Sequence, residues 1–210
     1  MSYPFNDAIR REIANRCAAF TRLPAAHDSN GLKRAAVAIT LVPGDGGPNQ
    51  TAFLLTQRST RLRAHGGQWA LPGGRCDPGE PAMEAALREL DEEIALRLRP
   101  KDVLGTLDDY PTRSGYLITP VVVWAGPSPR LHLNPKEVAS VHRIPLADIM
   151  RPGSVSFHTI PESDRRVIRM HIGGTSLHAP TGAVIYQFRE ILAGRNTRVD
   201  QLEQPVFAWR

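Results

Sequence analysis

Three carboxylates carry the first chemical signal in this chain. Glu89, Glu92 and Glu93 stand three and four residues apart within Arg88-Glu89-Leu90-Asp91-Glu92-Glu93. On a helix that spacing sets them on adjacent turns of one face, within reach of one another. Acids this crowded repel, which raises their pKa values and weakens the helix unless a cation neutralises them. Clustered carboxylate oxygens suit hard divalent ions such as Mg²⁺ or Mn²⁺. The acids also lie in the C-terminal half of the helix, where the dipole disfavours negative charge, so stability alone does not account for them. The plainer alternative is a solvated acidic face paired with Arg88 and Arg97. The preceding Pro72-Gly73-Gly74 weighs against it. Glycines let the backbone approach a ligand closely, and a turned-in carbonyl can add a metal ligand.

The elements that must position these acids follow from periodicity. Residues 81–94 read as a helix with Pro81 in its first turn and an apolar stripe of Met83, Leu87, Leu90 and Ile94. Residues 34–42 are apolar and partly β-branched, which predicts a buried strand. The Pro43–Pro48 turn and a returning strand at 51–56 complete a hairpin. The stretch 58–79 is rich in Arg, Gly and Pro, and long for a connection, as functional loops often are. Strands are expected at 103–107, 117–124 and 138–144, and a short helix at 146–150. Residues 154–169 read as hairpin-like. An N-terminal amphipathic helix at 6–20 is capped by Asn6 or Asp7, and a helix at 183–192 turns Ile185, Phe188 and Leu192 inward before Gly194. The mixture predicts one α/β domain with a mixed sheet. It divides into an N-terminal helix and loop (1–32), a core (33–150) and a C-terminal extension whose helix packs on the same domain (151–210).

Composition narrows the class. The chain has 210 residues, 41% of them hydrophobic and 22% charged, which suits a single folded core. No run of apolar residues is long enough to span a bilayer, and the N-terminus lacks the pattern of a secretory signal. No membrane partner is therefore expected. Cys17 and Cys76 are the only cysteines, so a disulfide framework is not expected and the cytoplasm is the expected compartment. The net charge is +5, and all but three of the 26 basic residues are arginine. That excess favours anionic partners, but no basic block marks a nucleic-acid tail, so a nucleic-acid partner is not expected.

The stretch from Gly74 to Leu96 resembles the box of the Nudix hydrolase family, G-x5-E-x7-R-E-U-x-E-E-x-G-U with U a large aliphatic residue. Gly74, Glu80, Arg88, Glu89, Leu90, Glu92, Glu93 and Leu96 fall in register. Ala95 departs from the pattern's glycine. If the helix exits there in the left-handed conformation, alanine costs about 1 kcal/mol. The resemblance implies a Nudix-type α/β/α sandwich with a mixed β-sheet, and metal-dependent hydrolysis of a diphosphate joined to a nucleoside. It implies Glu89, Glu92 and Glu93 as metal-binding acids, with the Gly73 carbonyl as a further ligand. Arg88 orients the acids, while Gly74 and Glu80 are structural. Glu89 is favoured in activating water, and Glu137 is a second candidate base or metal ligand whose plainer reading is a surface acid.

The upstream residues 54–74 are similar to the signature of the coenzyme A pyrophosphatase branch, L-L-T-x-R-[SA]-x3-R-x3-G-x3-F-P-G-G. Arg58, Ser59, Arg63 and Gly67 fall in register, and Leu71 replaces the usual Phe. The resemblance implies these four as substrate-binding residues. It implies coenzyme A or a derivative as substrate, cleaved to 4′-phosphopantetheine (or its derivative) and adenosine 3′,5′-bisphosphate. Arg58 and Arg63 can make charge-assisted contacts to phosphate oxygens. Arg61 and Arg113 read better as surface or ion-pair residues, and Trp69 as a packing residue. ADP-ribose, NADH or a dinucleoside polyphosphate are the alternative substrates. A non-catalytic nucleotide- or RNA-binding protein is the alternative of another class. A homodimer stays open. The run from His171 to Thr181 reads as a strand, a turn and a capped helix; the alternative is that it lines a pocket.

Overall fold

The computed structural model describes residues 3–23, 31–61 and 66–208. Two strands explain why the segment after Lys33 is so apolar. β1 (Lys33–Gly44) runs through the middle of the main sheet, and β2 (Gly47–Arg58) returns beside it as the expected hairpin. β1 is covered on both faces. Ala36, Ala38 and Val42 point into one core, and Ile39 and Leu41 into the other. A strand buried on both sides reads as a continuous hydrophobic run rather than an alternation.

The sheet is mixed. β7 (Tyr116–Trp124) pairs parallel with β1, while β5 (Val103–Thr106) and β8 (Val138–Pro145) add antiparallel to β7 and β2. The long connection after β2 carries two short strands, β3 (Trp69–Ala70) and β4 (Gly73–Arg75). β3 pairs with β2 and β4 pairs with β1. β6 (Tyr110–Pro111) completes the sheet against β7.

Helices close the layers. α2 (Ala82–Ile94) covers one face; α1 (Asp7–Ala19) and α4 (Thr181–Leu192) contribute to the core on the other. Asn6 caps α1, its side-chain oxygen accepting from the Ile9 amide at 3.0 Å. α3 (Leu146–Met150) leads into a separate three-stranded sheet of β9 (Val155–Ile160), β10 (Ser163–Ile172) and β11 (Thr175–His178). Ile185, Phe188 and Leu192 of α4 are buried as expected, and so are Ala183, Val184 and Ile191. They share one core cluster with Ile39, Phe53 and Trp124 of the main sheet. Among the described residues no helix is long and apolar enough to cross a membrane.

Two expectations need correction. The inward face of α2 keeps Leu90 and Ile94 of the expected stripe but not Met83 and Leu87. Ala85 and Ala86 are fully buried with Leu90 and Ile94, whereas Met83 and Leu87 are only partly covered. Small side chains at 85 and 86 let the helix axis approach the sheet. Glu93, three residues after Leu90 and seven after Ala86, falls on this same face and is buried with it. The second correction concerns α4, which starts after Pro180 with no side-chain cap.

Candidate active site

The three acids sit in three different environments. Glu93 is buried, with only 5% of its side chain exposed, Glu89 is largely covered at 12%, and Glu92 is half-exposed at 51%. Burial pushes the Glu93 carboxyl up to about 8; Arg58 pulls it back down, and Glu89 and Glu137 push it further up. Burial also raises Glu89, opposed by its bonds to Arg88 and aided by the charges of Glu92 and Glu137. Glu137 therefore belongs to the same electrostatic cluster, although it enters from the turn before β8.

Arg88 is the hub. Its Nε and Nη2 donate to both carboxylate oxygens of Glu80 at 2.9 and 3.0 Å. Its Nη1 donates to Glu89 at 2.9 Å and to Glu92 at 3.0 Å, and Nη2 also reaches the Arg75 carbonyl at 2.9 Å. Glu80 in turn accepts from the Asp77 amide at 2.8 Å, which fastens the loop before α2 to the helix. The Arg88 bond holds the Glu80 carboxyl below the usual range. A planar fork with five donors makes this arrangement available to Arg and not to Lys.

The glycines are set by close approach. Gly73 has φ +153, and a Cβ there would fall on the Ala36 carbonyl oxygen and within 2.6 Å of Val37 Cα. Its amide donates to Glu93 at 3.3 Å. A Cβ on Gly74 would come within 2.5 Å of the Glu89 carboxyl carbon. The pair thus packs directly on the two most covered acids.

The upstream residues divide. Arg58 ends β2 3.9 Å from Glu93, and its buried Nε has no hydrogen-bond partner among the described residues. A buried guanidinium N–H without a partner is costly and suits an anionic ligand. Ser59 is buried, its amide donating to the Glu137 carbonyl at 2.8 Å and its hydroxyl accepting from the Arg61 amide at 3.4 Å. Gly67, at φ +75, donates to the Arg58 carbonyl at 3.0 Å. Ser59 and Gly67 thus hold the loop in shape, and Ser59 ties it to the Glu137 segment. Arg63 and His65 lie outside the described residues. Arg113 pairs with buried Glu203 at 2.5 Å, in keeping with its reading as an ion-pair residue.

A cavity of about 460 Å³ opens beside this cluster, and Arg58 and Gly73 are among its lining residues. Trp69 lines it too, edge-on to His142 at 4.7 Å. Sequence reasoning missed much of the remainder. The run from His171 to Thr181 forms the expected strand, turn and helix start, and His178, Ala179, Pro180 and Thr181 also line the cavity, as the alternative reading had it. Gln204, which gave no sequence signal, and Phe207 also line it.

The donor chemistry of the cluster fits a divalent cation. Glu89, Glu93 and Glu137 place mutually repelling carboxylates around one region, and all the available donors are hard oxygens. Among the described residues no group of three acids, histidines or cysteines is gathered closely enough to hold an ion without adjustment. Glu89 and Glu92 would exchange part of their Arg88 contacts for it.

A family model of the NUDIX domain matches residues 32–169. The chain is 41% identical over 114 residues to a protein of Photorhabdus laumondii described as "Uncharacterized Nudix hydrolase NudL", a match covering 54% of this chain and 60% of that one. It is 43% identical over 102 residues to the protein of the same description from Citrobacter koseri, covering 48% and 53%. The matches therefore span roughly half to three fifths of those relatives' own length. Among solved structures, a MutT/nudix family protein from Enterococcus faecalis covers 94% of this chain and 78% of its own, with a TM-score of 0.56 at 18% identity. At that identity the likeness speaks to the fold.

Proposed function

Because the chain belongs to the Nudix family, we propose that it hydrolyses the diphosphate of coenzyme A or a coenzyme A derivative, using Mg²⁺ or Mn²⁺. The observation that carries the reading is Arg58. It pairs loosely with buried Glu93, has a buried N–H with no partner among the described residues, and borders a ligand-sized cavity together with Gly73. A diphosphate is the ligand chemistry that such a guanidinium recognises.

Glu89, Glu92, Glu93 and the Gly73 carbonyl would hold the metal, with Glu137 as a further ligand or base. A bound divalent ion supplies positive charge against the diphosphate and the leaving phosphate. Arg88 positions Glu89 and Glu92 through one guanidinium, and Glu80 fixes that guanidinium from the other side. Glu89 takes the proton of the attacking water. Glu89 is largely covered, and the Arg88 guanidinium holds its carboxylate in place for that role. Arg58 binds phosphate oxygen, with Arg63 assigned the same role on sequence alone. Ser59 and Gly67 support this contact by shaping the loop that presents it.

The test is product analysis by mass spectrometry with Mg²⁺ or Mn²⁺. The panel holds coenzyme A, acetyl-coenzyme A, ADP-ribose, NADH and a dinucleoside polyphosphate at equal concentration. Adenosine 3′,5′-bisphosphate is the expected dominant product; preference for any other diphosphate would overturn the coenzyme A assignment. Glu93→Gln should lower turnover by about 100-fold or more. Wild-type turnover in that variant at saturating metal would remove Glu93 from the mechanism.

A further inference from the structure

One wall of the cavity comes from residues beyond the NUDIX match, which ends at 169. Leu177, Ala179, Pro180 and Val184 contribute apolar surface between β11 and α4. His178 interrupts that wall with a polar group. Its Nδ1 is buried and has no hydrogen-bond partner among the described residues. Burial, then the charge of Arg169, pushes the ring below the usual histidine pKa, and His158 and His171 act in the same sense. A ring neutral at ordinary pH carries a single N–H. The bond to the Ile168 backbone raises the ring's pKa, as a bond donated to a carbonyl does. With Nδ1 unpartnered, that bond runs from Nε2, and Nδ1 is left as a bare acceptor.

Two other lining residues offer free surface. Phe207 is 64% exposed and meets His178 edge-on at 5.4 Å, which leaves a ring face open for stacking. The side-chain amide of Gln68 has no hydrogen-bond partner among the described residues; only its backbone carbonyl is engaged, by the Arg58 amide at 2.9 Å. An aromatic face, a bare acceptor and a carboxamide together are the parts that read a nucleobase. The bare acceptor also chooses between bases. It pairs with an exocyclic amino group and repels the carbonyl oxygen that hypoxanthine carries in its place. Arg58 and Gly73 border the same cavity from the side of the acids, so a base at His178 and a diphosphate at Arg58 fit one nucleotide. A pantetheine arm also has amide N–H groups, but it has no flat face to lay on Phe207.

We propose that His178 selects the base of the substrate, its Nδ1 accepting from the exocyclic amino group of an adenine stacked on Phe207, with Gln68 at the base's polar edge. The proposal rests on the reading of Arg58 as the diphosphate contact. It assigns the choice of base to His178 and Phe207, both outside the family match.

The experiment is calorimetric binding of adenosine monophosphate, inosine monophosphate and pantetheine to wild type, His178→Phe and Phe207→Ser. The two nucleotides share ribose and phosphate, so Arg58 acts equally on both and their ratio reads the base alone. Wild type should bind the adenosine nucleotide about tenfold or more tighter than the inosine nucleotide. His178→Phe keeps a flat ring and removes the acceptor, so the ratio should fall toward one, which a merely structural role for His178 would not produce. Phe207→Ser should weaken both nucleotides by about fivefold or more at an unchanged ratio. Phe207 is exposed, so this variant keeps the test alive if His178→Phe does not fold. Equal binding of the two nucleotides by wild type, or a ratio unchanged in His178→Phe, would overturn the proposal. Pantetheine binding more tightly than either nucleotide, and lost in the variants, would overturn it too, by giving the cavity to the other arm. The outcome is read apart from the cleavage panel. Adenine selectivity without cleavage of coenzyme A keeps His178 and removes the coenzyme A reading; cleavage of coenzyme A without adenine selectivity does the reverse.

Discussion

Replacing Ala95 by glycine should stabilise this protein. Ala95 closes α2 at φ 55 and ψ 32, and it is the only non-glycine residue with positive φ among those described. For an L-residue the left-handed conformation costs roughly 1–2 kcal/mol, which glycine does not incur. Glycine also enlarges the conformational freedom of the unfolded chain, which removes about 0.4–1 kcal/mol of that gain. The Ala95 side chain is exposed, so no packing is lost. The closing bonds, Ala95 amide to Asp91 carbonyl at 2.9 Å and Leu96 amide to Leu90 carbonyl at 3.1 Å, are backbone bonds that survive the change. The net gain is therefore about 0.5–1 kcal/mol, or a Tm increase of about 1–4 °C for a chain of this size. Urea unfolding should show a higher midpoint at unchanged slope. Ala95→Val, which puts a β-branched residue at positive φ, should move the midpoint the other way. A lower Tm for Ala95→Gly would refute the reasoning, because it would mean that the αL residue carries no strain here.

The neighbouring glycines separate stability from activity. Gly73→Ala meets fixed backbone at Ala36 and Val37 and should cost about 2 kcal/mol or more in denaturant unfolding. Gly74→Ala meets only the movable end of Glu89, so it should unfold nearly as wild type while turnover drops by about 100-fold. Arg88→Lys should lower kcat by about 10- to 100-fold with little change in KM, since it disturbs the positioning of Glu89 and Glu92 rather than substrate contact. The Arg113–Glu203 pair sets a pH dependence. Glu203 is held down to about 2, chiefly by its bond to Arg113, so its stabilisation is fully present above the unfolded carboxylate value and is lost as pH falls toward about 2. Solvent around half-exposed Arg113 reduces the contribution to about 2 kcal/mol. The stability gap between wild type and Arg113→Met should therefore close between about pH 4.5 and 2; a gap that stays constant across that range would contradict the assignment.

What was legible in the sequence was local. The hairpin of β1 and β2, the extent of α2 and the cap at Asn6 follow from periodicity and turn chemistry, which act over a few residues. The left-handed exit at Ala95 was legible because a single position departed from a spaced pattern, and the cost of that departure could be stated before its φ was known. The site was half legible. Spacing gave the adjacency of Glu89, Glu92 and Glu93, but not their unequal burial. That inequality follows from which face of α2 meets the sheet, the face that carries Ala85, Ala86, Leu90 and Glu93. The stripe of large apolar residues pointed correctly to Leu90 and Ile94 and missed that Ala85 and Ala86, rather than Met83 and Leu87, complete the inner face.

The cavity was illegible for a different reason. Its walls join Trp69 to Thr181 and Tyr116 to Phe207, pairs separated by roughly half the chain, and no local pattern encodes such a meeting. The division has a functional consequence. The acids and their Arg88 hub lie within the family match, on one helix and the loop before it, where each part fixes the next over short distances. The apolar wall lies outside that match, on a segment whose core contacts run through α4 to the opposite face of the main sheet. Changes in the wall can therefore reshape what fits the cavity without moving Arg88 or its partners. Substitution at Thr181 or Phe207 should alter substrate preference at constant metal dependence, whereas substitution at Arg88 should alter metal dependence at constant substrate preference.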